Sequence, residues 1–328
     1  MCTCGRPPSF AGDPLTRRTI IACALIAALA AAGCGDGSGG GRQFRSVGTA
    51  GTGGIYYPLG GTIASRLSVL DSTSQYTAEV TGGSVENIAR LDARQMDLAI
   101  ALSVTMYEAY RGMGDYDEPI PGLRVVAPLY PNITHVMVPE GSTVTDVSEL
   151  RGGRVSVGSA GSGTEQSSRQ LLLAHGITYD DINVQYLTFT ESANALRDGA
   201  IDGSIISVGY PAAAVLEATT TGGARLLALS DEAIEAMTST YPYYARGELP
   251  GGIYPGADEP LQTIAMMNWI ISMDYLEAPV VNHVLGILEN EREILVRVSR
   301  MVEQVDFAFL DDAPVPLHSA TEAWLADR

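Results

Sequence analysis

The chain has 328 residues, of which 46% are hydrophobic, and this length is enough for two domains of ordinary size. Its 38 acidic residues outnumber its 20 basic ones, and the resulting formal charge of −18 disfavours nucleic acid and anionic membrane surfaces as partners. All the basic residues are arginines, which excludes a Walker A phosphate loop because that loop needs a lysine.

The first 33 residues have the pattern of an export signal. A pair of arginines precedes an apolar run at residues 20–32, which is too short to span a membrane. Small residues lead to Cys34, and the order Ala-Ala-Gly-Cys resembles a bacterial lipobox. We therefore expect a signal peptide at 1–33, a lipid on Cys34 and a flexible tether at 34–43. The alternative is ordinary signal-peptidase cleavage, with Cys34 incidental.

The exported part is acidic and has no cysteine after Cys34. All four cysteines lie at or before residue 34, so none is left for disulfides or thiolate metal sites. Without residues 1–33, the chain keeps 17 basic and 37 acidic residues, a formal charge of −20. Its fold must therefore be stabilised by core burial.

Strands and helices alternate after the tether. Apolar periodicity predicts strands and helices in turn, at 44–49 (strand), 56–70 (helix), 76–80 (strand), 84–95 (helix) and 97–102 (strand). The last strand is continuously apolar, which is typical of a parallel sheet covered on both faces. The alternation indicates an α/β architecture.

A long extended region at 123–139 separates this series from a second one. The second series has predicted strands at 155–158, 184–188, 203–207 and 225–229, with helices starting at 211 and 230. The stretch 241–260 is rich in Pro, Gly and Tyr and is predicted to be mostly loop. Another extended run at 261–273 follows, and then helices over 278–309 and 318–328.

The two series are copies of one module. VGTAGTGG at 47–54 returns as VGSAGSGT at 157–164, and related segments follow both, so the repeat has a unit of about 110 residues. The repeat predicts two α/β lobes that face each other, with the glycine loops and the ends of the third strands opposed. We expect one lobe from 44–133 and 262–328 and the other from 134–261, with hinges where the chain crosses. This layout is typical of a ligand clamp.

Each glycine loop lies between a strand and a helix, where backbone N–H groups and the helix N-terminus favour an anion such as a carboxylate. A dinucleotide site is the rival interpretation. Gly48, Gly51 and Gly54 are spaced three apart and do not fit the G-x-G-x-x-G pattern, and no acidic residue ends the second strand. We therefore expect no nucleotide and no other cofactor.

The second loop carries a capping-box pattern, with Ser162 at the N-cap and Glu165 reaching back to its N–H. Such a helix start still offers free N–H groups at Gly163 and Thr164. If the ligand is an amino acid, Glu165 could instead bind its ammonium group.

Other candidates follow from position. Of Tyr56 and Tyr57, at the start of the first helix, at least one should face the cleft. Ser103, Ser207 and Tyr210 lie at or beyond the ends of third strands, where open α/β sheets bind ligands. A serine there is as often a turn residue as a contact.

The sequence offers little for catalysis. The four histidines are scattered without metal-ligand spacing, and the serines of GSAGSG do not fit the nucleophile pattern G-x-S-x-G. We expect a protein that is not an enzyme and binds no metal.

Taken in order, the segments VGTAGTGGIYYPLGG, GGSVENIARL, VSVGSAGSGTE and YPYY resemble the TAXI family of extracytoplasmic solute receptors, from Phe44 to the C-terminus. These receptors serve TRAP transporters, which ion gradients drive. The resemblance implies a type II periplasmic-binding-protein fold that closes around a small carboxylate such as glutamate, glutamine or 2-oxoglutarate and delivers it to a TRAP permease. The residues that match the family's binding loops are Thr52, Gly53, Tyr56, Tyr57, Ser162, Gly163, Thr164 and Glu165. The chain has ALSVT where many of these receptors carry a glutamine after the third strand, so the role of Ser103 is open.

With Ser84, which opens the second helix, these candidates make up the expected ligand site of a monomeric receptor. A sensory lipoprotein that presents its ligand to a signalling partner is the alternative, and a hydrolase on the same frame is a third. A neighbouring gene for a multi-span TRAP permease would separate the first two, and turnover of an ester or amide panel would favour the third.

Overall fold

A computed structural model describes Met1, residues 42–221 and residues 223–328. The predicted signal peptide after Met1, the lipidation residue Cys34 and most of the predicted tether lie outside the described residues.

The first copy of the repeat folds in the predicted order. Its elements are β1 (Gln43–Gly48), α1 (Tyr56–Leu70), β2 (Ser74–Glu79), α2 (Ser84–Asp92) and β3 (Leu98–Leu102). A further helix, α3 (Ser103–Arg111), leads to the long strand β4 (Leu123–Pro139). Helix α1 buries Leu59, Ile63 and Leu67 along one face, and each fully buried leucine contributes roughly 2 kcal/mol of hydrophobic stabilisation.

The second copy repeats this order. Its elements are β5 (Arg154–Ser156), α4 (Gly163–Ala174), β6 (Asn183–Gln185), α5 (Phe189–Arg197) and β7 (Gly203–Val208), followed by α6 (Ala213–Thr220), β8 (Ala224–Leu227) and α7 (Asp231–Thr240). Several boundaries differ from prediction by one to three residues, and two of these differences have a visible cause. The strand predicted at 184–188 ends at Gln185 because Thr188 caps α5, and the helix predicted from 211 begins at Ala213 because Ala212 has an extended backbone.

The chain ends with β9 (Ala245–Leu249), β10 (Leu261–Met273), α8 (Ala278–Asn290), α9 (Arg292–Val296) and α10 (Ser319–Ala326). Four short 3₁₀ helices lie at Val147–Leu150, Tyr179–Asp181, Arg300–Gln304 and Phe307–Asp312. The prediction that 241–260 is mostly loop misses β9. This strand has no apolar alternation and is defined by its antiparallel backbone pairing with β10, from Leu249 with Leu261 to Ala245 with Ala265.

One sheet of ten strands connects the two copies, with the order β2-β1-β3-β10-β4-β7-β5-β6, while β8 pairs with β4 and β9 with β10. Strand β1 is parallel to β2 and β3, and β5 is parallel to β6 and β7 in the same way. The long strands β4 and β10 pair with each other in the middle in antiparallel fashion. Strand β10 also runs antiparallel to its other neighbour β3, and β4 runs antiparallel to its other neighbour β7. The predicted α/β fold and the predicted repeat are therefore confirmed, whereas the division into two lobes stays a prediction.

The described residues contain neither a helix suited to cross a membrane nor a cluster of metal-ligating side chains. None of the helices within 42–221 and 223–328 combines the length and apolar character that a membrane span requires. Across those same ranges, no three or more His, Cys, Asp or Glu side chains gather where they could hold a metal ion.

Candidate ligand-binding site

A cavity lies where the two copies of the repeat face each other. Its walls come from the two glycine loops, from the ends of β3 and β7 and from Asn132 of β4. The space that the centre of a water-sized sphere can reach inside it measures about 50 Å³. The expected opposition of the glycine loops and the third strands is thus found.

Four helices point their N-termini at this cavity. The residues that precede α1, α2, α4 and α5 all line it, and these are Ile55, Gly83, Ser162 and Thr188. Each helix N-terminus carries about half a positive charge and leaves its first N–H groups without intrahelical partners. Because two helices come from each copy, the repeat directs four partial positive charges at the cavity without a cationic side chain in the described lining.

The second glycine loop is shaped by backbone conformations that favour glycine. Gly158 and Gly161 have φ angles of 100° and 74°. The Ser162 hydroxyl then accepts a 3.1 Å hydrogen bond from the Glu165 N–H and donates one of 2.7 Å to the Ser159 carbonyl. The Ser162 half of the predicted capping box is confirmed. The other half is wrong, since the Glu165 carboxylate turns away to Arg169 and Tyr179.

Backbone contacts join the two copies across the cavity. The Glu86 N–H donates to the Gly161 carbonyl at 3.1 Å, and the Ala214 N–H donates to the Gly53 carbonyl at 3.3 Å. Gly53 is itself tightly packed, because a Cβ there would lie 2.6 Å from the Thr190 hydroxyl oxygen. Each glycine loop therefore contacts the other copy at the rim of the cavity.

A buried hydrogen-bond network lies beneath the cavity. The Tyr56 hydroxyl donates to the side-chain oxygen of Asn268, whose amide nitrogen donates to the Tyr130 carbonyl at 2.6 Å and to Asn132 Oδ1 at 2.7 Å. Asn132 in turn donates to the Ser207 carbonyl at 2.9 Å. Burial raises the pKa of Tyr56 well above its usual value, so its hydroxyl stays protonated.

Two buried residues that line the cavity have hydroxyls without a hydrogen-bond partner among the described residues. They are Thr164, which is 4% exposed, and Ser207, which is 3% exposed. Each hydroxyl is therefore free to form a hydrogen bond with a molecule inside the cavity.

No described residue that lines the cavity is Asp, Glu, His or Arg. Glu165 lies outside the lining, and its carboxylate oxygens accept hydrogen bonds from Arg169 at 2.9 Å and from the Tyr179 hydroxyl at 2.7 Å. Arg169 also binds both carboxylate oxygens of Asp115, at 2.9 and 3.0 Å. Each helix that follows a glycine loop carries an arginine. Arg169 of α4 is bound by Glu165 and Asp115, and Arg66 of α1 pairs with Glu291.

The structure brings half of the sequence-based candidates to the cavity: Tyr56, Ser84, Ser162, Gly163, Thr164 and Ser207. Thr52 and Tyr57 are exposed, and Gly53 packs against the other copy. The Ser103 hydroxyl accepts from the Trp269 indole at 2.7 Å and donates to the Met267 carbonyl. Tyr210 packs against hydrophobic clusters. For all of these candidates, contact with a ligand stays a prediction.

The sequence-based candidates leave out several residues of the lining. Thr188 and Phe189 could have been found, because Thr188 and Glu191 form a capping box of the S/T-x-x-E pattern. Gly82 and Gly83 precede Ser84 in GGSVENIARL, one of the segments that carry the family resemblance. Asn132 gives no local signal, since only the pairing of β4 with its neighbours places it at the cavity.

Comparisons with known proteins agree with this architecture. The family model for NMT1-like proteins matches residues 47–326. The periplasmic binding protein BugD aligns with a TM-score of 0.52 and 13% identity over 87% of this chain and 93% of its own. A protein from Bordetella bronchiseptica RB50 aligns with a TM-score of 0.50 and 15% identity, covering 87% and 81%. The alkanesulfonate-binding protein SsuA from Xanthomonas axonopodis pv. citri, bound to MOPS, is 18% identical with a TM-score of 0.47, covering 87% and 84%. The expected type II periplasmic-binding-protein fold is confirmed.

Proposed function

This chain belongs to the NMT1-like family, and from that premise we propose that it is the extracytoplasmic solute receptor of a TRAP-type secondary transporter. The two lobes of the receptor close around a small carboxylate, and the receptor delivers this ligand to the membrane permease. It performs no reaction. The observation that carries the proposal is the convergence of four helix N-termini on one cavity.

A carboxylate fits the chemistry of this cavity. Free N–H groups at helix starts bind anions, and the partial charges of four helices add at a shared point. The formal charge of −18 opposes an incoming anion only weakly, because exposed charges are screened beyond about 8 Å at physiological ionic strength. The helix ends act at contact distance, so added salt should leave affinity unchanged or raise it slightly.

The TRAP permease as partner rests on the resemblance of the glycine-loop and tyrosine segments to TAXI receptors. Lipid attachment at Cys34 would hold the receptor at the outer face of the membrane. Under that proposal, Cys34→Ala moves the protein from the membrane fraction to the soluble one, and a wild type that is already soluble and free of fatty acid contradicts it.

Calorimetry on a carboxylate selected by thermal shift tests the binding mode. A Cβ at Gly163 would lie 2.8 Å from the Thr105 hydroxyl and 2.9 Å from the Ser84 hydroxyl, so Gly163→Val should abolish binding because the added side chain pushes the α4 N-terminus away from the first copy of the repeat. Arg169→Ala should weaken binding by less than about tenfold, or 1.4 kcal/mol.

Gly141→Ala is the matched glycine control, since a Cβ at Gly141 meets nothing within 4 Å. Loss of binding in Arg169→Ala, with Gly163→Val still competent, would show that an arginine and not the helix ends holds the anion.

A further inference from the structure

The cavity can accommodate one charge, and that charge is negative. Besides the backbone of the helix starts, its walls include the apolar residues Ile55, Leu102, Phe189 and Val208. No Asp, Glu, His or Arg occurs among the described residues that line it. An ionised group buried without a partner is strongly disfavoured. An ammonium group would in addition face the positive ends of four helices.

Two acidic side chains lie near the α4 N-terminus, and both already accept hydrogen bonds. Both oxygens of Glu165 accept from Arg169 at 2.9 Å, and one also accepts from the Tyr179 hydroxyl. Glu86 accepts from the Gly82 N–H at 2.7 Å. Binding of an ammonium group by either carboxylate would compete with these contacts.

The unpartnered hydroxyls of Thr164 and Ser207 add one feature. A hydroxyl can donate to a carbonyl oxygen or accept from an alcohol. These two groups therefore suit a neutral oxygen substituent on the ligand, next to a carboxylate held by the helix ends.

On the basis of the proposed receptor function, we propose that the ligand is an aliphatic monocarboxylate with an uncharged body, carrying a 2-oxo or 2-hydroxy group. This class differs from the glutamate, glutamine and 2-oxoglutarate that the family resemblance implies. The difference follows from the absence of a second charged partner among the described residues that line the cavity.

A calorimetric series in which each compound differs by one group tests the proposal on the wild-type protein. We expect 2-oxobutyrate to bind most tightly and butyrate about fivefold to tenfold more weakly, because it lacks one hydrogen bond. We expect 2-aminobutyrate, glutamate and 2-oxoglutarate to bind at least about a hundredfold more weakly than 2-oxobutyrate, and butyramide not at all.

The outcomes separate this inference from the proposed function. Tight binding of glutamate, 2-aminobutyrate or 2-oxoglutarate overturns the uncharged body but leaves a carboxylate receptor standing. Binding of butyramide as tight as that of butyrate, or no binding by any acid in the series, overturns both.

A variant pair tests the neutral oxygen contact. Ser207→Ala should weaken 2-oxobutyrate about fivefold to tenfold and leave butyrate within about twofold, because only the former uses the hydroxyl. The control is Ser239→Ala, an exposed serine of α7, which should change neither. Equal losses for both acids in Ser207→Ala would contradict the contact.

Discussion

At the residue scale, Glu108 is a buried carboxyl that links the two copies of the repeat. Its oxygens accept hydrogen bonds from the side-chain amides of Gln166 at 3.0 Å and Gln170 at 2.9 Å, both on α4. Burial raises the pKa of Glu108, nearby Asp115 raises it further, and Arg169 lowers it. Folding therefore shifts the protonation of Glu108 toward the neutral acid relative to the unfolded chain.

This pKa shift predicts a pH dependence of stability. A raised carboxyl pKa contributes stability that is full below the unfolded value, near 4.5, and is lost as pH rises through the folded value. Glu108→Gln should therefore have a higher Tm than wild type at pH 7, and the difference should shrink toward pH 4. Glu118→Gln removes the same charge at an exposed site and serves as the control. Identical pH profiles for the two variants would contradict the prediction.

At the scale of elements, the pairing of β4 with β10 depends on Asn268. The register of this pair shifts between Met267 and Trp269, and Asn268 occupies the shift with its side chain fully buried. Its amide satisfies the Tyr130 carbonyl, Asn132 and the Tyr56 hydroxyl. One polar side chain thus joins both central strands to the first residue of α1.

Asn268→Leu should lower the free energy of unfolding by about 2–4 kcal/mol, because it leaves several buried polar groups without partners. Denaturation in urea measures the change. Gln262→Leu, at an exposed position of the same strand, should stay within about 1 kcal/mol of wild type. A similar small effect for Asn268→Leu would mean that the network relaxes without it.

At the scale of the whole molecule, the two copies touch across the cavity through Glu86 and Gly161 on one side and Gly53 and Ala214 on the other. We propose that these contacts belong to a closed form, and that the molecule opens by bending of β4 near 134–138 and β10 near 261–265. Opening breaks the two backbone hydrogen bonds, and ligand favours their formation.

Small-angle scattering should then show a smaller radius of gyration at saturating 2-oxobutyrate, or at saturation with whichever acid binds, than without ligand. Gly163→Val, which should not bind, provides the control and should show no change. An unchanged radius for the wild type at saturation would count against closure.

The sequence by itself determined the repeat, the α/β alternation and the two long central strands. These follow from local patterns, since glycine loops recur and apolar periodicity is readable within each element. The same local signals identified Ser162, Gly163 and Thr164 as cavity residues, because a helix start after a glycine loop is visible in the chain. The bounds of α1 and β10 agree with their predictions to the residue.

Only the tertiary structure decided which of these candidates meet. Tyr56 and Tyr57 are adjacent in sequence, yet one is buried at the cavity and the other is 38% exposed, since the helix turns them to different sides. Strand β9 and residue Asn132 are positioned by partners that are distant along the chain. The Glu165 carboxylate accepts hydrogen bonds from Arg169 and Tyr179 and does not reach the cavity. The described residues that line the cavity include no Asp, Glu, His or Arg. The sequence could not show this, because the lining combines residues of both copies that come together only when the sheet has formed.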